Sequence, residues 1–482
     1  MSLRLYSTLS GQVEPVAPDA DGVIGIYACG PTVYSRIHIG NARPFVVFSV
    51  LKRYLERRGE RARLVINITD VNDKIYDAAR AEGVPSTELA ERCAAQYIAD
   101  TDLLGLGRPD AEPRVTDTMD EIIALIADLV ERDLAYPAGG DVYFRVAAFP
   151  GYGKLSGRNL MDMVPSDDGD LKDDPLDFAL WKGRKGDEDA WWESPWGPGR
   201  PGWHIECSAM AERELGMDFA IHGGGIDLVF PHHENEIAQS EGAHGGECFA
   251  RVWMHNEMLE LSDSKMSKSI GNIALLADVV GRWGPETVIT YFMQSHYRSR
   301  LPYSDERLRE AEAANERIRN AVRALDRALD GAGEDNDAEL AAALVQARQR
   351  FHDAMDDDFG TPGATPRAPT CRRRCSTCLP RGRPRAQSVT SRPPTPCATP
   401  SWPRATSFAT GRTGPRCTRP REHARQGASA PRRGRWPGHR VRPQPGARAH
   451  PCRPPAGERG VGHGAGVGGP GARGHRGGAE DA

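Results

Sequence analysis

The sequence predicts an α/β fold built on a doubly wound parallel sheet, broken by an inserted subdomain and followed by a helical region. Short apolar runs alternate with helical periods in the first 108 residues and again over residues 202–303, the pattern of parallel strands joined by crossover helices. Between Pro109 and Pro201 the alternation loosens into a stretch whose end is rich in Pro and Gly. From about Ser304 the period is purely helical, and it stops abruptly at Pro362.

The elements follow in order. Gly22-Val-Ile-Gly-Ile-Tyr-Ala28 is an apolar run ending in Cys29-Gly-Pro, and from Pro44 to Arg58 the residues Phe48, Leu51 and Leu55 share one helical face. Strand, turn and helix are expected there. Arg63-Leu-Val-Ile-Asn-Ile-Thr69 reads as the next strand, with later ones at Phe219–His222 and Val252–Leu259, so a Rossmann-like sheet should carry its sites at the carboxyl ends of its strands. The expected division is 1–108 and 202–303 for the two halves of the sheet domain and 109–201 for the inserted subdomain. An incomplete helical bundle over 304–362 and a tail over 363–482 complete it. Trp181, Trp191, Trp192 and Trp196 suit packing of the insert against the sheet, while Trp203 stands four residues before Cys207. In the helical region Leu340, Leu344, Ala347, Phe351 and Met355 form an apolar stripe expected to be core.

The formal net charge of −4 conceals a split. Residues 363–482 hold 24 Arg, no Lys and four acidic residues, a balance of +20, which leaves −24 on residues 1–362. The tail has no Ile, Met, Asn or Tyr and only Leu379 as leucine, too little apolar surface to offset the entropy of ordering, so disorder is expected. An Arg-rich arm for RNA phosphates is one reading. The abrupt change after Phe359-Gly-Thr-Pro362 favours translation out of frame, and it makes the Cys371, Cys375, Cys378 cluster an accident of composition rather than a zinc knuckle. No early apolar run resembles a signal peptide or a membrane span, so a cytoplasmic protein without membrane contact is expected. Its dispersed cysteines, Cys29, Cys93, Cys207 and Cys248, should then be thiols or metal ligands rather than bridges.

Three clusters carry chemistry. His38-Ile-Gly-Asn41 lies where the first strand hands over to its helix. A helix start offers unpaired N–H groups to phosphates, Gly40 permits close approach, and the imidazole is a donor; a surface capping histidine is the plain alternative. Lys265-Met-Ser-Lys-Ser269 places two ammonium groups, Lys265 and Lys268, on a polar loop, where they suit a pyrophosphate whose charge grows in the transition state. In Phe230-Pro-His-His-Glu-Asn-Glu236, His232 and Glu236 are spaced to share one face of a helix and grip one ion. Cys29 and Cys207 are offered to complete a set suited to zinc, with small buried thiols and a core histidine as the bland alternative.

Tyr27-Ala-Cys-Gly-Pro-Thr-Val-Tyr34, the His38 cluster, Asn67-Ile-Thr-Asp70, Gly202-Trp-His-Ile-Glu-Cys207, Ile221-His-Gly-Gly-Gly225, Phe230 to Glu236 and Lys265 to Ser269 together resemble the class I cysteinyl-tRNA synthetases over roughly residues 1–362. The resemblance implies one zinc ion on Cys29, Cys207, His232 and Glu236, and ATP with magnesium at His38, Gly40 and Lys268. It further implies catalytic roles for His38, Asn41, Lys265 and Lys268, and a cysteine pocket at Thr69, Trp203 and His222. The implied partners are L-cysteine, ATP and tRNA(Cys), with the chain a monomer. Asn41 stands where a second His is usual and Asn72 where an acid is common, both exchanges that keep hydrogen-bonding capacity. The anticodon-reading region usual beyond Pro362 is unrecognisable. Two other readings stand beside this one: the related cysteine ligase of mycothiol synthesis, against which the carboxylate of Glu236 speaks, and a catalytically idle RNA-binding protein.

Overall fold

The computed structural model describes residues 2–163, 171–186, 188–261, 274–330 and 338–364. The Lys265–Ser269 cluster and all but the first two residues of the Arg-rich tail lie outside them. In chain order the elements are β1 (Arg4–Ser7), β2 (Gln12–Pro15), β3 (Val23–Ala28), α1 (Ile39–Arg57), β4 (Arg61–Ile66), α2 (Asp73–Glu82), α3 (Ser86–Asp102) and α4 (Met119–Glu131). Next come β5 (Ala135–Ala138), β6 (Asp141–Phe144), β7 (Phe178–Gly183), β8 (Gly199–Pro201), α5 (Trp203–Leu215), β9 (Phe219–Gly225), α6 (Glu234–Ala243) and β10 (Ala250–Asn256). The chain continues through β11 (Leu259–Leu261), α7 (Leu276–Trp283), α8 (Pro285–Met293), β12 (Leu301–Tyr303), α9 (Asp305–Asp330), α10 (Ala338–Asp356) and α11 (Thr361–Ala364).

Four strands form a parallel sheet in the order β10-β9-β3-β4. From β3 the chain winds through α1 to β4 on one side, and from β9 through α6 to β10 on the other, so the order switches between β3 and β9. A crevice therefore opens at the carboxyl ends of those two strands. Alternate residues serve two cores. Ile24, Ile26, Leu64, Val252 and Met254 face one, with α1; Tyr27, Val65 and Trp253 face the other, with α4 and α5. Burial on both faces is why these strands read as continuous apolar runs. Helix α1 lays Phe45, Phe48, Leu51 and Leu55 on the sheet. It comes so close that a Cβ at Gly223 would lie 2.1 Å from the Phe48 ring, so only glycine fits beneath it. The helix predicted from Pro44 already begins at Ile39 because His38 caps it.

The stretch predicted as an insert contains a second, antiparallel sheet, β5-β6-β7-β8. Trp181 is buried there against Trp196, whereas Trp191 is 37% exposed under the Arg184 guanidinium, so the packing expected of the tryptophans fails for Trp191. Polar contacts tie this stretch to the helices around the parallel sheet, two of them through buried side chains. Glu234, at the start of α6, accepts the N–H groups of Gly153 and Ser156 at 2.9 and 2.8 Å, and buried Arg200 pairs with Asp73 of α2.

Among the described side chains the stripe on α10 is not core as expected: Leu344 is 57% and Phe351 39% exposed, Ala347 is exposed too, and Met355 is buried. The sequence periodicity is real, but the stripe meets α1 at its C-terminal end, where the Phe351 ring lies edge-on to Tyr54 with centroids 6.1 Å apart, and Leu344 stands clear of it. Cys29, Cys93 and Cys207 are free buried thiols, as expected. No helix among the described residues is long and apolar enough to cross a membrane.

Beyond α10 the chain is pinned back to its beginning. The buried Asp358 carboxylate accepts the Tyr6 N–H at 2.8 Å, the Tyr297 hydroxyl at 2.6 Å and the Arg298 Nε at 2.8 Å. Asp358→Ala leaves the buried Tyr297 hydroxyl and the Tyr6 N–H without their acceptor, and denaturant unfolding should register a loss of about 2–3 kcal/mol.

Candidate active site and metal centre

Cys29 leaves the carboxyl end of β3, Cys207 sits in the second turn of α5, and His232 and Glu236 stand on the turn into α6. The fold brings Cys29, His232 and Glu236 together, and Cys207 adjoins them through Cys29. Cys29 Sγ lies 3.7 Å from Cys207 Sγ, 3.6 Å from His232 Nε2 and 3.6 Å from Glu236 Oε1. His232 Nε2 is 3.0 Å from Glu236 Oε1. The edges of a tetrahedron around zinc are roughly 3.3–3.8 Å for bonds of ~2.0–2.3 Å, so three of these four spacings fit one ion and the last lies slightly inside. Burial first, with Cys207 and Glu236 beside Cys29 and with His204 and His222 beside His232, pushes Cys29 up and His232 down, and burial pushes Glu236 up, so the donors are held neutral unless a cation compensates them.

Sequence reasoning missed His233. Its Nε2 is 3.3 Å from Cys29 Sγ, and Cys29, His232, His233 and Glu236 have donor atoms within 4.8 Å of one another. The doubled histidine, three residues before Glu236, was the available signal. His233 Nδ1 meets His255 Nε2 at 2.7 Å, and His255 Nδ1 meets the Thr8 hydroxyl at 2.8 Å. His204 was missed as well; its Nδ1 is 2.9 Å from His232 Nδ1. Such outer partners orient a ligand ring.

Of the residues expected to line a cysteine pocket, two touch this cluster. Trp203 stacks on the His232 ring, with centroids 4.3 Å apart. His222 joins Glu236 Oε2 at 2.7 Å and stacks on Trp253, and burial pushes its pKa down to about 3, so it is neutral. Thr69 is buried beside the segment that follows Cys29: its N–H donates to the Pro31 carbonyl, and its hydroxyl accepts from Asn67 Nδ2 at 3.1 Å.

His38 is the N-cap of α1, its Nδ1 accepting the Gly40 N–H at 3.1 Å while the Asn41 side chain accepts the His38 N–H. Capping and phosphate donation do not conflict. Occupation of Nδ1 as an acceptor places the proton of a neutral ring on Nε2, beside the positive end of the helix dipole. Lys265 and Lys268 lie outside the described residues. The first residues after that stretch return to His38, where the Ile39 N–H donates to the Ala274 carbonyl and the Leu276 N–H to the Ile37 carbonyl.

A parallel sheet with a site at its switch point and a histidine-capped helix beside it is the architecture of the class I tRNA synthetases. The solved Mycobacterium tuberculosis methionyl-tRNA synthetase is similar in fold, with a TM-score of 0.57 at 16% identity over 71% of this chain and 80% of that chain. Residues 15–313 match the family model described as the tRNA synthetases class I (C) catalytic domain. Curated relatives include the cysteine–tRNA ligases of Trichlorobacter lovleyi, 50% identical over 76% of this chain and 76% of that protein, and of Desulforudis audaxviator, 48% identical over 74% and 76%. The chain belongs to the cysteine–tRNA ligase family of class I aminoacyl-tRNA synthetases.

Proposed function

We propose that the chain joins L-cysteine to tRNA(Cys) by way of cysteinyl-adenylate, acting as a cytoplasmic monomer with ATP and magnesium. The observation that supports this is the cluster of donor atoms around Cys29, with Cys207 at 3.7 Å and His232 and Glu236 each at 3.6 Å, at the carboxyl end of the strand that precedes the His38 turn. Those four residues would hold zinc, which when bound supplies a Lewis acid that prefers a thiolate to a serine hydroxyl. Trp203, His222 and Thr69 wall the amino-acid pocket, and His204 and His255 keep the imidazoles next to them in one orientation. The His38 Nε2–H, with Gly40 and Asn41 at the helix start, donates to ATP phosphate as the cysteine carboxylate attacks the α-phosphorus. Lys265 and Lys268 then stabilise the departing pyrophosphate. Transfer of the cysteinyl group to the terminal ribose of the tRNA completes the reaction. In this reading residues 1–108 and 202–303 form the catalytic domain, 109–201 the inserted connective subdomain, and 304–362 the start of the helical bundle.

Cysteine-dependent ATP–pyrophosphate exchange tests the reading, with serine as the control. Exchange stimulated equally by the two amino acids would overturn it. A local prediction follows from Gly40. A Cβ there would lie 2.9 Å from the His38 ring, so Gly40→Ala must displace the imidazole. The kcat of exchange is expected to fall about 10- to 100-fold, with the KM for cysteine unchanged in steady-state assays.

A further inference from the structure

Arg43 is a buried cation to which the activation chemistry assigns no task. It lies in the second turn of α1, five residues after the His38 cap, and is 1% exposed. Its partners are backbone carbonyls rather than carboxylates. One terminal nitrogen donates to Glu257 at 2.5 Å and Met258 at 3.3 Å, and the other to His296 at 3.1 Å and Ser299 at 2.8 Å. These carbonyls belong to two segments far apart in sequence. Glu257 and Met258 lead directly into β11, and His296 to Ser299 form the turn that leads into β12, the parallel partner of β11. Burying a guanidinium costs several kcal/mol unless its donors are used, and a fork of fixed geometry holds four acceptors in one arrangement as a lysine does not.

We propose that Arg43 is a positioning residue for amino-acid activation, fixing the roots of β11 and β12 against the helix that His38 caps. The inference rests on the functional reading above. Lys265 follows the last residue of β11 by four positions. The backbone leading to the lysine cluster and the histidine that meets the phosphates are thereby registered through one side chain. The amino-acid site draws on other elements, the ends of β3 and β9, α5 and the turn into α6.

The test uses the full chain with Arg43→Lys, which keeps the charge but not the fork, and Arg43→Gln. Exchange kinetics should show kcat reduced about 10- to 100-fold in Arg43→Lys, more in Arg43→Gln, with the KM for cysteine and the bound zinc unchanged. An unchanged kcat in Arg43→Lys overturns the proposal. So does a parallel decline of kcat, cysteine binding, zinc content and melting temperature, which marks a merely structural arginine. If Arg43→Gln does not fold, Arg43→Lys alone decides. A wild-type chain without exchange overturns the functional reading and this proposal with it, an outcome distinct from either of the others.

Discussion

Removing zinc, or replacing Cys29 by alanine, is expected to lower cysteine-dependent ATP–pyrophosphate exchange by about 1,000-fold, the factor that corresponds to several kcal/mol of Lewis-acid stabilisation. The motive is the donor geometry. Cys29 is within 3.7 Å of Cys207, His232, His233 and Glu236, so its loss takes the central ligand out of the cluster. Selectivity should collapse with rate, because a pocket without the ion distinguishes cysteine from serine by at most about 200-fold. Metal content gives a readout independent of activity. Cys207→Ser should leave the purified protein with less than half the zinc of the wild type, whereas His233→Asn should retain it, since the proposed set does not include His233. Zinc-free protein that still strongly prefers cysteine would sink the assignment. Zinc lost in His233→Asn and kept in Cys207→Ser would exchange the two roles.

Much of this site was legible in the sequence because its chemistry is local. His232 and Glu236 lie one helical turn apart, so the turn into α6 brings them together whatever the remainder of the chain does. Cys29 and Cys207 are separated by 178 positions, and spacing alone gave no reason to join them. Their meeting is a property of the switch point, where the end of β3 and the start of α5 share one crevice. His204 and His255 were invisible for the same reason. Each acts on a neighbouring ring across elements, and although His204 stands between Trp203 and Cys207 in a motif read for those two residues, nothing in the chain tells that its ring meets His232.

The parallel sheet was legible from continuous apolar runs, which arise because both faces are covered. The antiparallel sheet was not, since its strands are only three to six residues long and leave too few positions to define a period. The helical stripe shows the opposite failure. Leu344 and Phe351 repeat at the right interval yet stand exposed, because periodicity reports an amphipathic helix and says nothing about whether a partner covers its apolar face.

Lys268→Ala is expected to reduce exchange by about 100-fold or more, the scale of losing one charged contact to a developing oxyanion, while cysteine binding changes little. The split follows from where each substrate is held. Cysteine is expected at the thiol and imidazole cluster on the carboxyl ends of β3 and β9, remote in sequence from the Lys265–Ser269 cluster. The phosphates are expected at the His38 cap, to which the chain returns directly after that cluster through the Ile39–Ala274 and Leu276–Ile37 backbone bonds. A point charge carried on a flexible stem gains most as the bridging bond to pyrophosphate breaks. The loss should therefore fall on kcat more than on the KM for ATP, and isothermal titration with cysteine should give the wild-type affinity. Lys265→Ala should follow the same pattern. Cysteine affinity and exchange declining in the same proportion would place Lys268 in the support of the fold instead of in the chemistry of the leaving group.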